Sequence, residues 1–264
     1  MAVLEINFMS RELRRGVPIH MILPNDLAPE LMEGNSNFDR PMKTLFLLHG
    51  FSGCAMDWAL ESRVQHLSWK YNMAILSPSG ENSFYLNWQG SGGKYQTYVG
   101  VELVEYIRKT FGLAKTPKHT YIGGMSMGGF GALHTGLRYP ENFSKMFGLS
   151  SAMIMKKVKN MKPGFEDSIG DYGYYTRVFG NPEELDYSEN NPEYLVKQRK
   201  DAGETIQPIL MVCGDKDFLI EENREFRDFL QSENVNITYW ERPGFHEWKF
   251  WNQYLEPAVQ WLLK

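Results

Sequence analysis

The stretch His119–Leu133, HTYIGGMSMGGFGAL, decides how this sequence is read. A run of β-branched and aromatic residues enters it, and an alanine-leucine run leaves it. Between them Gly124-Met125-Ser126-Met127-Gly128 fits G-x-S-x-G. With glycine near 7% of residues, chance supplies about one such match in a dozen chains of this length. The flanks therefore carry the argument. A buried strand before the serine and a helix after it are what a nucleophile elbow needs: a sharp turn lifts the hydroxyl above the sheet edge, and glycines let neighbouring backbone pass closely. The helix would point its positive end at the site and favour an oxyanion there.

Outward from this point, strands and helices alternate. KTLFLLHG (Lys43–Gly50), MAILSPSG, KHTYIGG, KMFGLSS and PILMVCG are short apolar runs, as expected of strands buried on both faces. Helical spacing follows in DWALESRVQHLSWKYN, YQTYVGVELVEYIRKTFG, MGGFGALHTGLRYP and EENREFRDFLQSE, then a strand NITYWE and a last helix EWKFWNQYLEPAVQWLLK. LEINFMS and VPIHMILP alternate apolar and polar residues, which suggests antiparallel strands at one edge. The expected fold is α/β: one domain over 1–264, with a mostly parallel sheet and helices on both faces. Ala152–Thr205 breaks the pattern with prolines, acidic stretches, an aromatic cluster YGYYTRVFG and no long periodic element. It is expected to be a cap-like insertion over the sheet's carboxyl edge.

The 264 residues carry a net charge of −4 and two cysteines, Cys54 and Cys213. The charge argues against a nucleic-acid partner. The basic cluster Met155–Lys162 is short and reads as a solvated face. Two cysteines make neither a disulfide framework nor a four-cysteine zinc site, and both are read as reduced thiols. No leader-like apolar region opens the sequence and no run of eighteen apolar residues occurs, so the expectation is a cytoplasmic enzyme without a membrane span. GSGGKY fails the Walker pattern at Tyr95, and GGFGALH fails G-x-G-x-x-G at its last position.

A serine nucleophile needs a base, and in this order of elements the acid and then the histidine follow the serine. Of six histidines only His246, in RPGFHEW, lies beyond the later strands. His20 and His119 read as strand residues, His66 and His134 as helix-surface residues, and His49 as structural. The acid belongs after PILMVCG, where Asp215 and Asp217 stand. Asp217 is preferred, because Phe218-Leu219 would pin it. The oxyanion donors are expected to be the backbone N–H groups of Met127 and Phe51, with Ser52 as alternative to Phe51. Phe51, Trp58, Phe84, Tyr85, Trp88 and Trp248 flank the expected site loops. Trp88 in particular is expected to border the acyl pocket and limit its length, with Trp58 and Trp248 as further substrate contacts.

Five motifs in order, LLHGFSG, GGKYQTYVGVELVEYIRKTF, GMSMGGFGAL, CGDKDFLIEEN and GFHEWKFW, resemble the esterase D-like branch of the α/β-hydrolases. The likeness is greatest to bacterial tributyrin esterases and acetylesterases. That group is related to S-formylglutathione hydrolases and to feruloyl and acetylxylan esterases of carbohydrate esterase family 1. The resemblance spans about Lys43 to the C-terminus and is poorest over Ala152–Thr205. It implies a Ser126–Asp217–His246 triad and a serine carboxylesterase acting on short-acyl esters, with acylated carbohydrates among the candidates. It implies no cofactor, no metal and a small-molecule ester as the partner; a homo-oligomer is compatible with it. A thioesterase and a feruloyl esterase are the alternatives within enzymes. A non-catalytic binding module of the same fold is disfavoured, since Ser126 and His246 are both present.

Overall fold

The apolar runs fall where their burial can be satisfied. In the computed structural model, which describes residues 1–264, eight strands form one sheet in the order β1-β2-β4-β3-β5-β6-β7-β8. These are β1 (Ala2–Ser10), β2 (Arg15–Leu23), β3 (Lys43–Leu48), β4 (Met73–Pro78), β5 (Thr120–Met125), β6 (Lys145–Leu149), β7 (Ile209–Gly214) and β8 (Ile237–Arg242). β1 pairs antiparallel with β2, and β2 antiparallel with β4; the other pairs are parallel. β1 alternates half-buried and exposed residues, as an edge strand with one wet face does. β3, β4, β5 and β7 are buried throughout, since helices cover both their faces.

The helices are α1 (Pro29–Met32), α2 (Asp57–Glu61), α3 (Val64–Lys70), α4 (Tyr95–Thr97), α5 (Leu103–Phe111), α6 (Met127–Arg138), α7 (Met155–Lys159), α8 (Tyr172–Phe179), α9 (Pro192–Asp201), α10 (Ile220–Ser232) and α11 (Trp248–Leu263). Alternate residues of β3 go to opposite layers. Phe46 and Leu48 join a core with residues of α5, α6 and α10, whereas Leu45 and Leu47 join one with α3 and α11. No helix is long and apolar enough to cross a membrane.

Several elements differ from the sequence expectation. DWALESRVQHLSWKYN forms two helices, because the chain is extended at Ser62. A π-helical turn, Tyr98–Glu102, precedes α5. His119 ends a 3₁₀ turn before β5 and is not a strand residue. Ala152–Thr205 holds α7, α8, a 3₁₀ turn Pro182–Tyr187 and α9. Asp171, Asn181 and Asn191 cap the last three, each accepting a backbone N–H. His134 is not on the surface: this segment packs on α6 and buries it completely. Gln96 Nε2 lies 3.3 Å from its Nδ1, and its Nε2 lies 2.8 Å from the Glu189 carbonyl.

Candidate active site

Ser126 sits between β5 and α6 with φ +55° and ψ −120°, a backbone conformation rare for a residue with a Cβ. Its neighbours explain how the turn closes. A Cβ on Gly124 would lie 2.3 Å from the Gly128 carbonyl oxygen, and one on Gly128 would lie 2.3 Å from the Leu48 oxygen. Only glycine fits at either position. The turn is tied to β6, since the Ser126 N–H donates to the Leu149 carbonyl (2.9 Å) and the Ala152 N–H donates to the Ser126 carbonyl (3.0 Å).

The structure brings the three expected side chains together. His246, in the loop after β8, places Nε2 2.9 Å from Ser126 Oγ. Its Nδ1 lies 2.9 and 3.0 Å from the two oxygens of Asp217, in the loop after β7. An ionised carboxylate can only accept, so Nδ1 carries the proton and Nε2 is left as acceptor for the serine hydroxyl. Burial works to raise the Asp217 carboxyl. Hydrogen bonds from His246 and the Leu219 amide, with the attraction of the imidazole, outweigh it and hold the carboxyl below its ordinary value. Asp215 does not reach the imidazole; it accepts the Gly244 N–H at 3.1 Å. It thereby shapes the loop that carries His246. The two loops approach so closely that a Cβ on Gly214 would lie 2.4 Å from the Gly244 oxygen.

Met127 opens α6, so its N–H has no acceptor within the helix. The Phe51 N–H is also free of any protein acceptor. The Ser52 N–H is engaged by Asn82 Oδ1 at 2.7 Å, which removes the alternative donor. His49 braces this loop. The Gly80 N–H donates to its Nε2 (2.8 Å), so the neutral ring donates from Nδ1 to the Gly50 carbonyl (2.7 Å). The Tyr85 hydroxyl accepts the His49 N–H (3.0 Å) and donates to the His49 carbonyl (3.2 Å). Burial lowers the His49 imidazole, so it stays neutral.

Ser126 opens onto a cavity of about 230 Å³ with mainly apolar walls. One wall comes from the core loops: Phe51, Phe84, Met127, Phe218 and Leu219. The other comes from the segment after β6: Ala152, Ile154, Ile169 and Tyr175, with Lys157. Glu222 completes the lining. Lys157 pairs with Asp167, which also accepts the Tyr175 hydroxyl at 3.0 Å. Burial alone would raise the Asp167 carboxyl, but Lys157, the Gly170 and Ile169 amides and Tyr175 bring it down to about 2. Tyr174 donates to the Asn82 carbonyl (2.7 Å), so the same asparagine ties this segment to the Phe51 loop. A larger groove of about 680 Å³ between α3 and α11 is polar and holds no nucleophile beside a base.

Three expected pocket residues lie elsewhere. Trp88 does not line the cavity: the Arg177 guanidinium sits 4.5 Å from its ring centre and Tyr95 packs at 5.2 Å. Trp58 is wholly buried, donates to the Leu48 carbonyl (3.1 Å) and meets Trp248 edge to face at 5.1 Å. Both belong to the layer of α3 and α11. Tryptophan is wide enough to serve as core even beside a site loop. The sequence reading missed Ile154, Ile169 and Tyr175; the aromatic cluster YGYYTRVFG was the available signal for the last.

Over residues 10–262 the chain matches the family described as putative esterase. It is 39% identical over 264 residues to an acetyl esterase of Caldicellulosiruptor saccharolyticus, covering all of this chain and 99% of that one. Among solved structures it is similar to the fluorophosphonate-binding serine hydrolase F of Staphylococcus aureus, with a TM-score of 0.85 and 25% identity over 100% of this chain and 98% of that one. It is also similar to the S-formylglutathione hydrolase of the same organism, with a TM-score of 0.82 and 26% identity over 100% and 99%. The elbow, the hydrogen-bonded serine, histidine and aspartate, and these full-length likenesses agree: the chain belongs to the putative esterase family, serine hydrolases of the α/β-hydrolase fold.

Proposed function

We propose that this esterase hydrolyses carboxylic esters of short acyl groups, acetyl to butyryl, through an acyl-Ser126 intermediate. The observation that carries the reading is the chain Asp217–His246–Ser126, joined at 2.9 Å on each side of the imidazole and opening onto a small apolar cavity. His246 Nε2 takes the hydroxyl proton as Ser126 Oγ attacks the acyl carbonyl. The Met127 and Phe51 N–H groups stabilise the oxyanion. His246 then gives the proton to the departing alcohol, and a water molecule repeats the sequence to release the acid. Asp217 holds the imidazole in the required tautomer and stabilises imidazolium.

The acyl range follows from volume. About 230 Å³ is below the usual span of roughly 300–1,000 Å³ for small-molecule sites. The acetyl esterase named above supports the short end of this range. A series of p-nitrophenyl esters tests it. Acetate and butyrate should turn over about five- to a hundredfold faster than decanoate, since overfilling a packed site costs roughly 1–3 kcal/mol. Equal rates across the series would sink the reading. A thioesterase is the second reading, favoured by the likeness to the S-formylglutathione hydrolase. A higher kcat/KM on an acetyl thioester than on the matched oxygen ester would select it.

A further inference from the structure

Behind the triad, at the end of β6, lies a residue that the mechanism above does not use. Ser150 is fully buried, with φ +48°, although serine has no intrinsic preference for that region. Its N–H donates to the Val212 carbonyl at 2.7 Å, which fixes the backbone in place. A strained, over-determined residue beside a reacting centre invites a functional explanation.

The hydroxyl supplies one. The indole N–H of Trp251, on α11, donates to Ser150 Oγ at 3.1 Å. That bond fixes the indole behind the triad, and its ring meets the His246 ring edge to face at 5.0 Å and 90°. On its other flank His246 packs against Phe218 at 4.4 Å. Phe218 is exposed, but Trp251 is held in the core.

We propose that Ser150 and Trp251 act as one positioning unit for the triad: the Ser150 hydroxyl anchors the indole N–H, and the indole ring held in this way limits the swing of His246. Neither residue touches substrate. This inference rests on the reading of Ser126, His246 and Asp217 as the catalytic triad.

The test is a double-mutant cycle on the intact chain. Trp251→Phe keeps an aromatic ring and deletes the N–H. Ser150→Gly deletes the hydroxyl and relieves the positive φ, which offsets part of the cost of leaving the Trp251 N–H without its acceptor. On p-nitrophenyl acetate, Ser150→Gly should lower kcat about ten- to thirtyfold, with KM within about twofold. Trp251→Phe should lower kcat about three- to tenfold, and the double variant should be no slower than Ser150→Gly, because both changes delete the one hydrogen bond that holds the indole. The unit is overturned if Ser150→Gly keeps kcat within about twofold of wild type, if the two losses multiply, or if KM rises while kcat holds. A fluorophosphonate probe separates this failure from that of the triad. If the probe labels Ser126 in wild type and the kinetics go against the unit, only the positioning role falls. If the wild type is labelled at another residue, the triad reading falls and the unit with it.

Discussion

Gly124 and Gly128 leave no space for a methyl group, whereas Gly164 and Gly203, in the segment after β6, have nothing within 4 Å of the Cβ position. The two pairs stand for two regions built under different constraints. Around Ser126, backbone passes backbone at close range, and strands β3, β5 and β6 meet in a fixed register. There the glycines are required by contact. In Ala152–Thr205 the glycines serve turns with positive φ, at +89° for Gly164 and +74° for Gly203. Short capped helices carry the chain, and its side chains form one wall of the cavity. On the proposed mechanism the core loops set which bond is broken, and the segment after β6 helps to set which acyl group is accommodated. Each region can be perturbed while the other is read.

The largest expected effect is in the core. Ser126→Ala removes the proposed nucleophile and one oxygen atom of volume. Turnover should fall by about 10⁴-fold or more, to the residue left by the oxyanion hole and binding. The thermal midpoint should stay within a few degrees, because alanine meets the same backbone strain at φ +55° that serine does. If this variant keeps more than about a tenth of wild-type turnover, the division of labour between the two regions is wrong at its first step.

Asp217→Asn comes next. With the geometry kept and the tautomer lost, kcat should drop by about 10⁴-fold. Asp215→Asn should cost far less, about tenfold at most, since Asp215 only accepts the Gly244 N–H. Kinetics of both variants at one pH decide it. A larger loss at Asp215 would mean that the loop holding His246, and not the carboxylate facing it, limits the reaction.

His134 lies on the seam between the regions, on α6 but bonded to the Glu189 carbonyl of the segment after β6. Burial, its largest cause, depresses this imidazole to about 4 in the folded chain, against 6.5 unperturbed. Between those values the unfolded chain binds a proton that the folded chain excludes. Stability therefore rises with pH through this window, and it is lost as pH falls from about 6.5 toward 4. The loss is roughly 3 kcal/mol at 1.36 kcal/mol per unit. Urea melts at several pH values should show that slope in wild type and a flatter one in His134→Gln. Equal slopes would show that the seam does not exclude the proton.

His134 also marks where the sequence stops being legible. The succession of strands along the chain, the elbow, His246 and the choice of Asp217 over Asp215 depend on local pattern and on the order of elements along the chain, and both are written in the sequence. Burial of His134 depends on which distant segment covers α6, and no local pattern states that. The helices of Ala152–Thr205 are short, so their periodicity is weak. Their start signals were nevertheless present: Asn181-Pro182 and Asn191-Pro192 each place a capping side chain before a proline suited to a first helical turn. The tryptophans misled for a different reason. Proximity to a site loop along the chain does not say which side of the sheet an indole takes, and Trp58 and Trp248 went to the layer opposite α6.

The smallest expected effect is the sharpest test of where acyl length is limited. Ile169 lines the cavity from the segment after β6, and Trp88 does not line it at all. Ile169→Ala should enlarge the site and raise the decanoate-to-butyrate rate ratio by about five- to tenfold, as relief of roughly 1 kcal/mol of overpacking would. Trp88→Ala should lower stability by about 1–3 kcal/mol, through lost packing on Tyr95 and Arg177. No hydrogen bond is lost with it, since the indole N–H is buried without a partner. The ratio should then stay within about twofold of wild type, because nothing that touches the acyl chain has moved. If Trp88→Ala shifts the ratio and Ile169→Ala does not, the length limit lies in the loop after β4. The segment after β6 would then be a lid over a pocket whose depth the core alone defines.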